Sequence, residues 1–413
     1  MKKLSFLALS LASVFAASAQ QAVLKEAERA MKSGADVAKV VEIVTPAFSD
    51  PETATLAQTW YIPGKAAFSQ YDKLLGIKAF KPDDPQVDPV KMANMLISGY
   101  DYFMKALPLD SVADAKGKIK TKYSKDIVNT LAGHFSDYSA AGADLFNAKD
   151  YKGAYQAWGI FTDILENSTL AKGVSKVPND TLIGEIYFNQ ALAAWQADDF
   201  NGSFDAFMNA KNKGYNKKQL YDYAMAVAQN IPDNEKVLMV AREALPLYGA
   251  EDNNYMAQIV NYYLQAKDFD NAFKVINDAI AAEPNNAQYY VIQGVLYENQ
   301  EKRPEAKAAY EKARTIDPKN AQAQFNFGRI LCEEAYAASD GAPTSPKEYD
   351  EYYNANIKPL FVQAADVLES AYTLDQEQNP EYPNGDILKY LENVYYNLND
   401  EAKLNDVKKR MAY

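Results

Sequence analysis

The stretch that decides the fold runs from Asn285 to Pro318 and reads NNAQYYVIQGVLYENQEKRPEAKAAYEKARTIDP. Spacings of three and four residues indicate two helix faces, one with Tyr290, Gly294 and Tyr297 and the other with Ala306, Tyr310 and Ala313. Pro318 follows the second face and is expected to end its helix. A pair of helices this short cannot bury its apolar faces alone, so the stretch predicts neighbours of the same kind.

Such neighbours occur at a fixed interval of 34 positions. The recurring sets at this interval are Val260, Gly294 and Gly328, then Ala272 and Ala306, then Pro284 and Pro318. Because several positions recur together in register, the pattern predicts hairpins that stack on one another.

This period, with Ala-x3-Tyr-x2-Ala followed by Pro, resembles the tetratricopeptide repeat family. The resemblance implies an all-α fold, a right-handed superhelical solenoid of helical hairpins with a concave groove that binds proteins or peptides. Further matching helix pairs are expected at Trp60–Ala67 with Gly99–Ala106, Tyr138–Leu145 with Ala154–Phe161, Tyr187–Ala194 with Ser203–Ala210, Tyr221–Ala228 with Val237–Ala244, Met256–Tyr263 with Ala272–Ala279, and Gln324–Leu331 with Ala364–Ala371.

Residues 1–19 are expected to be a signal peptide rather than part of the fold. Two lysines, Lys2 and Lys3, precede an apolar run over 4–15, and the Ala-Ser-Ala at 17–19 offers a cleavage site. The run is too short to span a bilayer, and no later stretch reaches 18 apolar residues. We therefore expect an exported protein, periplasmic or otherwise associated with the cell envelope, or secreted, with no integral membrane segment in the mature chain.

Two regions are expected after the signal peptide. Residues 20–124 form an N-terminal helical region with an insertion, in which Lys81–Pro89 reads KPDDPQVDP and must be a loop. Residues 125–413 form the main array, with a second insertion over Ser339–Lys358 and a capping hairpin from Asp386 to Met411.

The composition argues against nucleic acid as a partner. The chain has 43 Lys and Arg against 55 Asp and Glu, a net charge of −12, and loss of Lys2 and Lys3 with the signal peptide leaves 41 against 55, or −14. An acidic surface repels both phosphate backbones and anionic membranes. A protein or peptide of unknown identity is the expected partner.

Few residues could carry chemistry. His134 is the one histidine, which excludes sites with two histidine ligands, and Cys332 is the one cysteine, which excludes an internal disulfide. The sequence also lacks a phosphate loop, a G-x-G-x-x-G turn and an H-E-x-x-H motif. We therefore expect neither an enzyme nor a cofactor or metal site.

The resemblance also implies which residues face a ligand, because in the family these lie on the first helix of each repeat. Carried over by register, they are Asn189, Trp195, Tyr223, Gln229, Asn261, Gln265, Gln288, Glu298, Phe325, Asn326 and Arg329. Val291, Ala257 and Asp222 stand where one variety of the family has the lysines of a carboxylate clamp, so such a clamp is not expected.

A weaker second set lies in the second insertion. Tyr349, Tyr352 and Tyr353 would either line a binding platform or fold back and pack against the repeats. The expected function is thus an exported scaffold or adaptor that binds partners through its groove. The alternative is a glycan-binding protein of the cell envelope that uses aromatic residues of the groove and of the insertions.

Overall fold

The structure is a computed structural model that describes residues 21–111, 116–249, 254–380 and 383–412. The predicted signal peptide lies outside these residues. The chain forms two compact units that divide between Asp233 and Asn234. The regular elements of the described residues are helices, with no β-sheet among them, so the predicted all-α class is confirmed. The boundary expected near residue 124 stays a prediction.

The first unit holds the helices before Asp233. Within it α3 packs on α4, α6 on α7, and α8 on α9, as the pattern predicts for hairpins. The helices are α1 (21–32), α2 (Val37–Ser49), α3 (Ala57–Phe80), α4 (Pro89–Asp110), α5 (Ser124–Gly133), α6 (Asp137–Asn147), α7 (Tyr151–Glu166), α8 (Asp180–Gln196), α9 (Phe200–Asn212) and α10 (Lys218–Ala228).

The second unit begins at Asn234. Its helices are α11 (Asn234–Tyr248), α12 (Asn254–Gln265), α13 (Phe269–Ala282), α14 (Ala287–Asn299), α15 (Arg303–Ile316), α16 (Ala321–Asp340), α17 (Pro346–Tyr352), α18 (Lys358–Gln378), α19 (Gly385–Asn397) and α20 (Glu401–Met411). Hairpins form between α12 and α13, α14 and α15, α16 and α18, and α19 and α20. The first helices α12, α14, α16 and α19 also contact one another in order, so they form one row.

Glycine on the first helix lets a large side chain of the second helix pack against the backbone. A Cβ added at Gly294 would lie 2.7 Å from ring atoms Cδ1 and Cζ of Tyr310. The same relation holds for Gly64 with Phe103 and for Gly142 with Trp158, each at 2.5 Å. The small residues of the sequence pattern therefore set how closely the two helices of a hairpin approach.

The turns inside five hairpins share one conformation. A residue with positive φ, between 55° and 64°, stands between the two helices, and these residues are Lys149, Asp198, Lys267, Glu301 and Asn399. In four of the turns the next residue is an aspartate that accepts a hydrogen bond from a backbone N–H of the first turn of the second helix, namely Asp150, Asp199, Asp268 and Asp400. Local side-chain chemistry thus starts these second helices.

The loop expected in the first insertion is confirmed, because α3 ends at Phe80 and α4 begins at Pro89. The rest of that insertion extends both helices of the hairpin. In the second, α17 continues through a π-helical turn over Tyr353–Ile357 directly into α18. In the described part of the chain, no helix combines the length and the apolar character that crossing a bilayer requires.

Candidate functional site

A cleft of about 440 Å³ at the start of the first helices is the candidate site of the second unit. Its walls come from the N-terminal ends of α16 and α19, the C-terminal end of α18 and the start of α14. A second cleft of about 710 Å³ adjoins it and shares Gln288, Asp317 and Asn320 with it. The polar lining of the first cleft is dominated by six amide side chains, those of Gln288, Asn320, Gln322, Gln378, Asn379 and Asn384.

The helix starts bring these amides together. Asn286, Asn320 and Asn384 are the N-caps of α14, α16 and α19, and each accepts a hydrogen bond from a backbone N–H of its helix. The tripeptide Asn-Ala-Gln occurs at 286–288 and again one repeat period later at 320–322. Because stacked repeats place equivalent residues side by side, the two glutamines are neighbours.

The amides form a bonded row. Gln288 Nε2 donates to Gln322 Oε1 at 3.1 Å, and Asn320 Nδ2 donates to Gln288 Oε1 at 3.5 Å. At the other wall, Gln378 Nε2 donates to the carbonyl oxygen of Lys319 at 2.8 Å. These bonds orient the amide planes before any ligand arrives.

A buried aspartate supports the far end of the cleft. Asp375 Oδ1 accepts a hydrogen bond from Asn379 Nδ2 at 2.9 Å, and its Oδ2 accepts one from the backbone N–H of Asn384 at 2.5 Å. Asp375 is only 6% exposed. The carboxylate therefore joins the end of α18 to the start of α19 and holds the wall in place.

The chemistry of the cleft suits peptide groups. Each amide side chain offers both donors and an acceptor, and an extended peptide backbone presents the same groups alternately. Phe325 adds an apolar surface, and its ring centroid lies 5.8 Å from that of Tyr390 on α19.

The structure brings two of the predicted residues, Gln288 and Phe325, into this cleft. The predicted Asn326 is buried at 8% exposure, so it belongs to the packing of α16. The predicted Asn261 and Gln265 are exposed on α12 and do not line the cleft, and Gln265 Oε1 accepts a hydrogen bond from Asn234 Nδ2.

The predicted Glu298 and Arg329 bind each other. Arg329 Nη2 lies 2.6 and 2.8 Å from the two carboxylate oxygens of Glu298, and the Tyr310 hydroxyl donates to Glu298 at 2.7 Å. Arg329 Nη1 also lies 2.8 Å from Glu333. Burial and then the bond to Glu298 raise the pKa of the Tyr310 hydroxyl. The pair thus joins α14 to α16 and is already satisfied inside the molecule.

Two of the four predicted residues of the first unit contact each other. The rings of Trp195 on α8 and Tyr223 on α10 meet edge to face with centroids 5.5 Å apart, and Tyr223 also stacks on Phe188 at 6.1 Å. Asn189 is half-buried and Gln229 is exposed. The aromatic pair therefore contributes to the packing of α8 and α10 as well as to their surface.

The tyrosines of the second insertion pack in part against the repeats. Tyr352 and Tyr353 contact the apolar core of the second unit, and the Tyr353 hydroxyl donates to the carbonyl oxygen of Asn397 at 2.6 Å. Tyr349 is 40% exposed, and its ring stacks on that of Tyr353 with centroids 6.2 Å apart. Tyr349 is thus the member of the set most open to a ligand.

The reasoning from sequence missed Asn320 and Gln322. Each stands one repeat period after its counterpart, Gln322 after Gln288 and Asn320 after Asn286. The recurrence of these polar positions would have found both, had it been followed as closely as that of the apolar ones.

His134 and Cys332 both pack against other parts of the protein. His134 Nδ1 lies 2.8 Å from Asp137 Oδ2, and its ring stacks on that of Phe68 with centroids 5.3 Å apart. Cys332 is buried, and burial raises the pKa of its thiol to about 12. A thiol with so high a pKa is not ionised at neutral pH and is a poor nucleophile.

Neither a protein-family model nor a curated protein matches the chain. Among solved structures, it is similar to the C-terminal part of a TPR repeat-containing protein from Cytophaga hutchinsonii, at 13% identity over 65% of this chain and 92% of that one, with a TM-score of 0.37. It is also similar to a TPR repeats protein from Bacteroides fragilis, at 16% identity over 63% of this chain and 98% of that one, with a TM-score of 0.34.

A third similar structure is the TPR2AB domain of yeast Sti1 in its complex with pHSP90, at 14% identity over 80% of this chain and 99% of that one, with a TM-score of 0.26. These identities and TM-scores are low. The repeat type is instead indicated by the chain itself, through the register of its repeats and the helical hairpins that they form.

Proposed function

Starting from a solenoid of tetratricopeptide-type hairpins, we propose that the protein is a non-enzymatic scaffold that binds an extended segment of a partner protein. The second unit holds this segment in the cleft beside Gln288 and Gln322. The single observation that carries the proposal is the bonded amide row. In it, Gln288 Nε2 donates to Oε1 of Gln322, the equivalent residue of the next repeat, at 3.1 Å.

The dimensions and the lining of the cleft support a peptide ligand. A volume of about 440 Å³ lies in the range of about 300–1,000 Å³ that is usual for ligand pockets, and the adjoining cleft extends it along the row of first helices. Amide side chains that hydrogen-bond to a peptide backbone give affinity that depends little on the sequence of the peptide. The apolar surface of Phe325 would then select among the side chains of the peptide.

The test uses a library of displayed peptides selected on the full-length protein, followed by calorimetry with the selected peptides. We expect the double variant Gln288→Ala with Gln322→Ala to weaken binding by about tenfold, because each lost hydrogen bond contributes about 0.5–1.5 kcal/mol. The control is Gln363→Ala, which removes an exposed glutamine of α18 outside the cleft. Equal affinity of both variants for every selected peptide would contradict the proposal.

The proposal includes a location outside the cytoplasm. It is supported by the positive start at Lys2 and Lys3, the apolar run over 4–15 and the Ala-Ser-Ala at 17–19. These three features have the order and the lengths of a secretory signal peptide.

Glycan binding is the second candidate, and the exposed ring of Tyr349 favours it. Aromatic rings stack on the apolar faces of sugar rings, and Phe325 offers a further ring beside amides that would bind hydroxyl groups. Calorimetry of the wild type, Tyr349→Ala and Phe325→Ala with a panel of neutral polysaccharides tests this candidate. Binding that either variant reduces would support it, and no binding by the wild type would remove it.

A further inference from the structure

A separate cleft, of about 470 Å³, lies in the first unit and has a different chemistry. It is built mainly on α4, α7 and α9, the second helices of three hairpins, whereas the proposed peptide cleft of the second unit involves first helices. Its wall carries four carboxylates and three tyrosines, namely Asp101, Asp163, Glu166, Asp205, Tyr100, Tyr155 and Tyr187. None of the described residues that line it is a lysine or an arginine.

Two donors of the wall already bond to its carboxylates. The Tyr187 hydroxyl donates to Glu166 Oε1 at 2.5 Å, and Gln156 Nε2 donates to Asp101 Oδ2 at 3.3 Å. Because an ionised carboxylate has about four lone-pair sites, these bonds leave most of the acceptor capacity of the cleft unused. The cleft therefore offers many acceptors to a ligand.

Gln190 points to a ligand independently of the acidic residues. Its side chain lines the cleft although the residue is only 7% exposed. Its Nε2 donates weakly, at 3.4 Å, to the carbonyl oxygen of Tyr155, while its Oε1 accepts no hydrogen bond from the described residues. A Cβ at Gly159 would lie 2.9 Å from Gln190 Nε2, so this glycine makes room for the amide group. Because Gln190 lines the cleft, a ligand or a water bound there can donate a hydrogen bond to this oxygen.

The charges agree with this interpretation. Burial raises the pKa of Asp101 and of Asp163, and the neighbouring Glu166 raises that of Asp163 further. Lys105 acts on Asp101 from the same helix, but it does not line the cleft, and its Nζ lies 4.7 Å from the ring centroid of Trp60. Among the described residues, no lysine or arginine on the wall of the cleft neutralises its negative charge.

We propose that this cleft is a binding site for an organic cation, either a primary ammonium or a guanidinium group. Such a group brings several N–H donors and a positive charge to the carboxylates, and one of its donors can reach Gln190 Oε1. The faces of the tyrosine rings attract a cation as well. The cation comes either from a free amine or from a lysine or arginine of a partner segment.

Calorimetry on the full-length protein with two probes tests the proposal and separates the two sources. The probes are agmatine, which carries a guanidinium and an ammonium group, and the peptide acetyl-Gly-Arg-Gly-Lys-Gly-amide. The neutral references are 1,4-butanediol and the same peptide with glutamines in place of Arg and Lys. We expect saturable binding of a cationic probe at one site, with no binding of the references.

The decisive variant is the double replacement Asp163→Asn with Asp205→Asn. We expect it to weaken binding of the cationic probe by about tenfold. The matched control, Glu52→Gln with Glu185→Gln, removes the same charge from exposed positions outside the cleft of the same unit and should leave binding unchanged. This control is needed because a chain with a net charge of −12 attracts any cation to some extent.

The outcomes are distinct. Tighter binding of the peptide than of agmatine identifies a basic segment of a partner as the ligand, and the reverse identifies a free amine. No saturable binding by the wild type, or the same loss in both double variants, overturns the proposal. Urea unfolding checks that the variants remain folded. The raised pKa of Asp163 means that ionisation of this carboxyl group disfavours the folded state. The Asn replacement there should therefore leave the free energy of unfolding equal or higher.

Discussion

At the scale of single residues, the fit between small and large side chains holds the hairpins together. Gly294 stands against the ring of Tyr310, a fully buried side chain, and Gly328 stands against Leu368 in the next hairpin. A glycine in a helix normally weakens it, by about 0.5–1 kcal/mol relative to alanine. Its presence at these positions is explained by the backbone contact that a Cβ would prevent.

Gly294→Ala should therefore destabilise the second unit despite the better helix propensity of alanine. The added Cβ would collide with the ring of Tyr310, and such overpacking costs about 1–3 kcal/mol. Urea unfolding followed by circular dichroism measures the change in the free energy of unfolding.

The control for this prediction is Gly76→Ala in α3. A Cβ at Gly76 meets nothing within 4 Å, so this replacement should stabilise the first unit by about 0.5–1 kcal/mol. Stabilisation by both replacements would show that the contact between Gly294 and Tyr310 is looser than described.

One buried carboxylate gives the first unit a dependence on pH. Asp110, at the end of α4, is 8% exposed and accepts hydrogen bonds from the backbone N–H groups of Lys122, Tyr123 and Ser124 at 2.7–3.0 Å. Burial alone would raise the pKa of this carboxyl group, but the bonds from Ser124 and from the three N–H groups outweigh burial and lower the pKa.

Because the folded pKa lies below the unfolded one, the ionised Asp110 stabilises the fold above the usual aspartate pKa of about 3.9. This stabilisation is lost as the pH falls through the folded pKa. Asp110→Asn should be less stable than the wild type at pH 7. Below about pH 4, near the usual aspartate pKa, the difference in stability between the two proteins should become smaller. Thermal unfolding at a series of pH values measures both effects, and identical pH profiles of the two proteins would contradict the assignment.

At the scale of elements, the five hairpin turns that hold a residue with positive φ obey one rule with one exception. Asp150, Asp199, Asp268 and Asp400 each cap the second helix of a hairpin. In the hairpin of α14 and α15 the corresponding residue is Lys302, which makes no side-chain cap. The hairpin that shows the repeat pattern best thus lacks the N-cap that four other hairpins have.

Lys302→Asp should stabilise the second unit by about 1 kcal/mol, because the new carboxylate can accept a hydrogen bond from the first turn of α15. The reciprocal variant Asp268→Ala should destabilise the same unit by a similar amount, since it removes the cap of α13. Midpoints of urea unfolding compare the two variants with the wild type, and a Lys302→Asp protein no more stable than the wild type would refute the capping argument.

At the scale of the whole molecule, an acidic chain carries the two proposed binding clefts, one in each compact unit, and they differ in chemistry. The cleft of the second unit is lined mainly by amides and that of the first by carboxylates and tyrosines. The two proposals therefore concern different ligands, and variants in one cleft should leave binding at the other unchanged.

The proposed export predicts a defined mature form. Cleavage after the Ala-Ser-Ala at 17–19 would leave Gln20 as the first residue. Intact mass measurement of the protein purified from the envelope fraction of its native cell tests this. A chain that retains Met1, or that is found only in the cytoplasm, would contradict the proposed location while leaving both binding proposals open.

The sequence alone determined the all-α class and most of the helix pairs, because those depend on local spacing. Residues such as Gly294, Ala306 and Pro318 recur at the repeat period, and a helix turns their spacing into a packing face whatever lies further away. The extent of the first insertion was harder to predict, because α3 extends to Phe80 through residues that lack the repeat pattern.

Only the tertiary structure decided which polar residues bind each other and which remain for a ligand. Glu298 and Arg329 are 31 residues apart and were both assigned to the groove, yet they form an ion pair once their helices are adjacent. Gln288 and Gln322 form the amide row for the same reason. Helix periodicity tells on which face a side chain lies, whereas its partner depends on distances between helices that only the packed molecule defines.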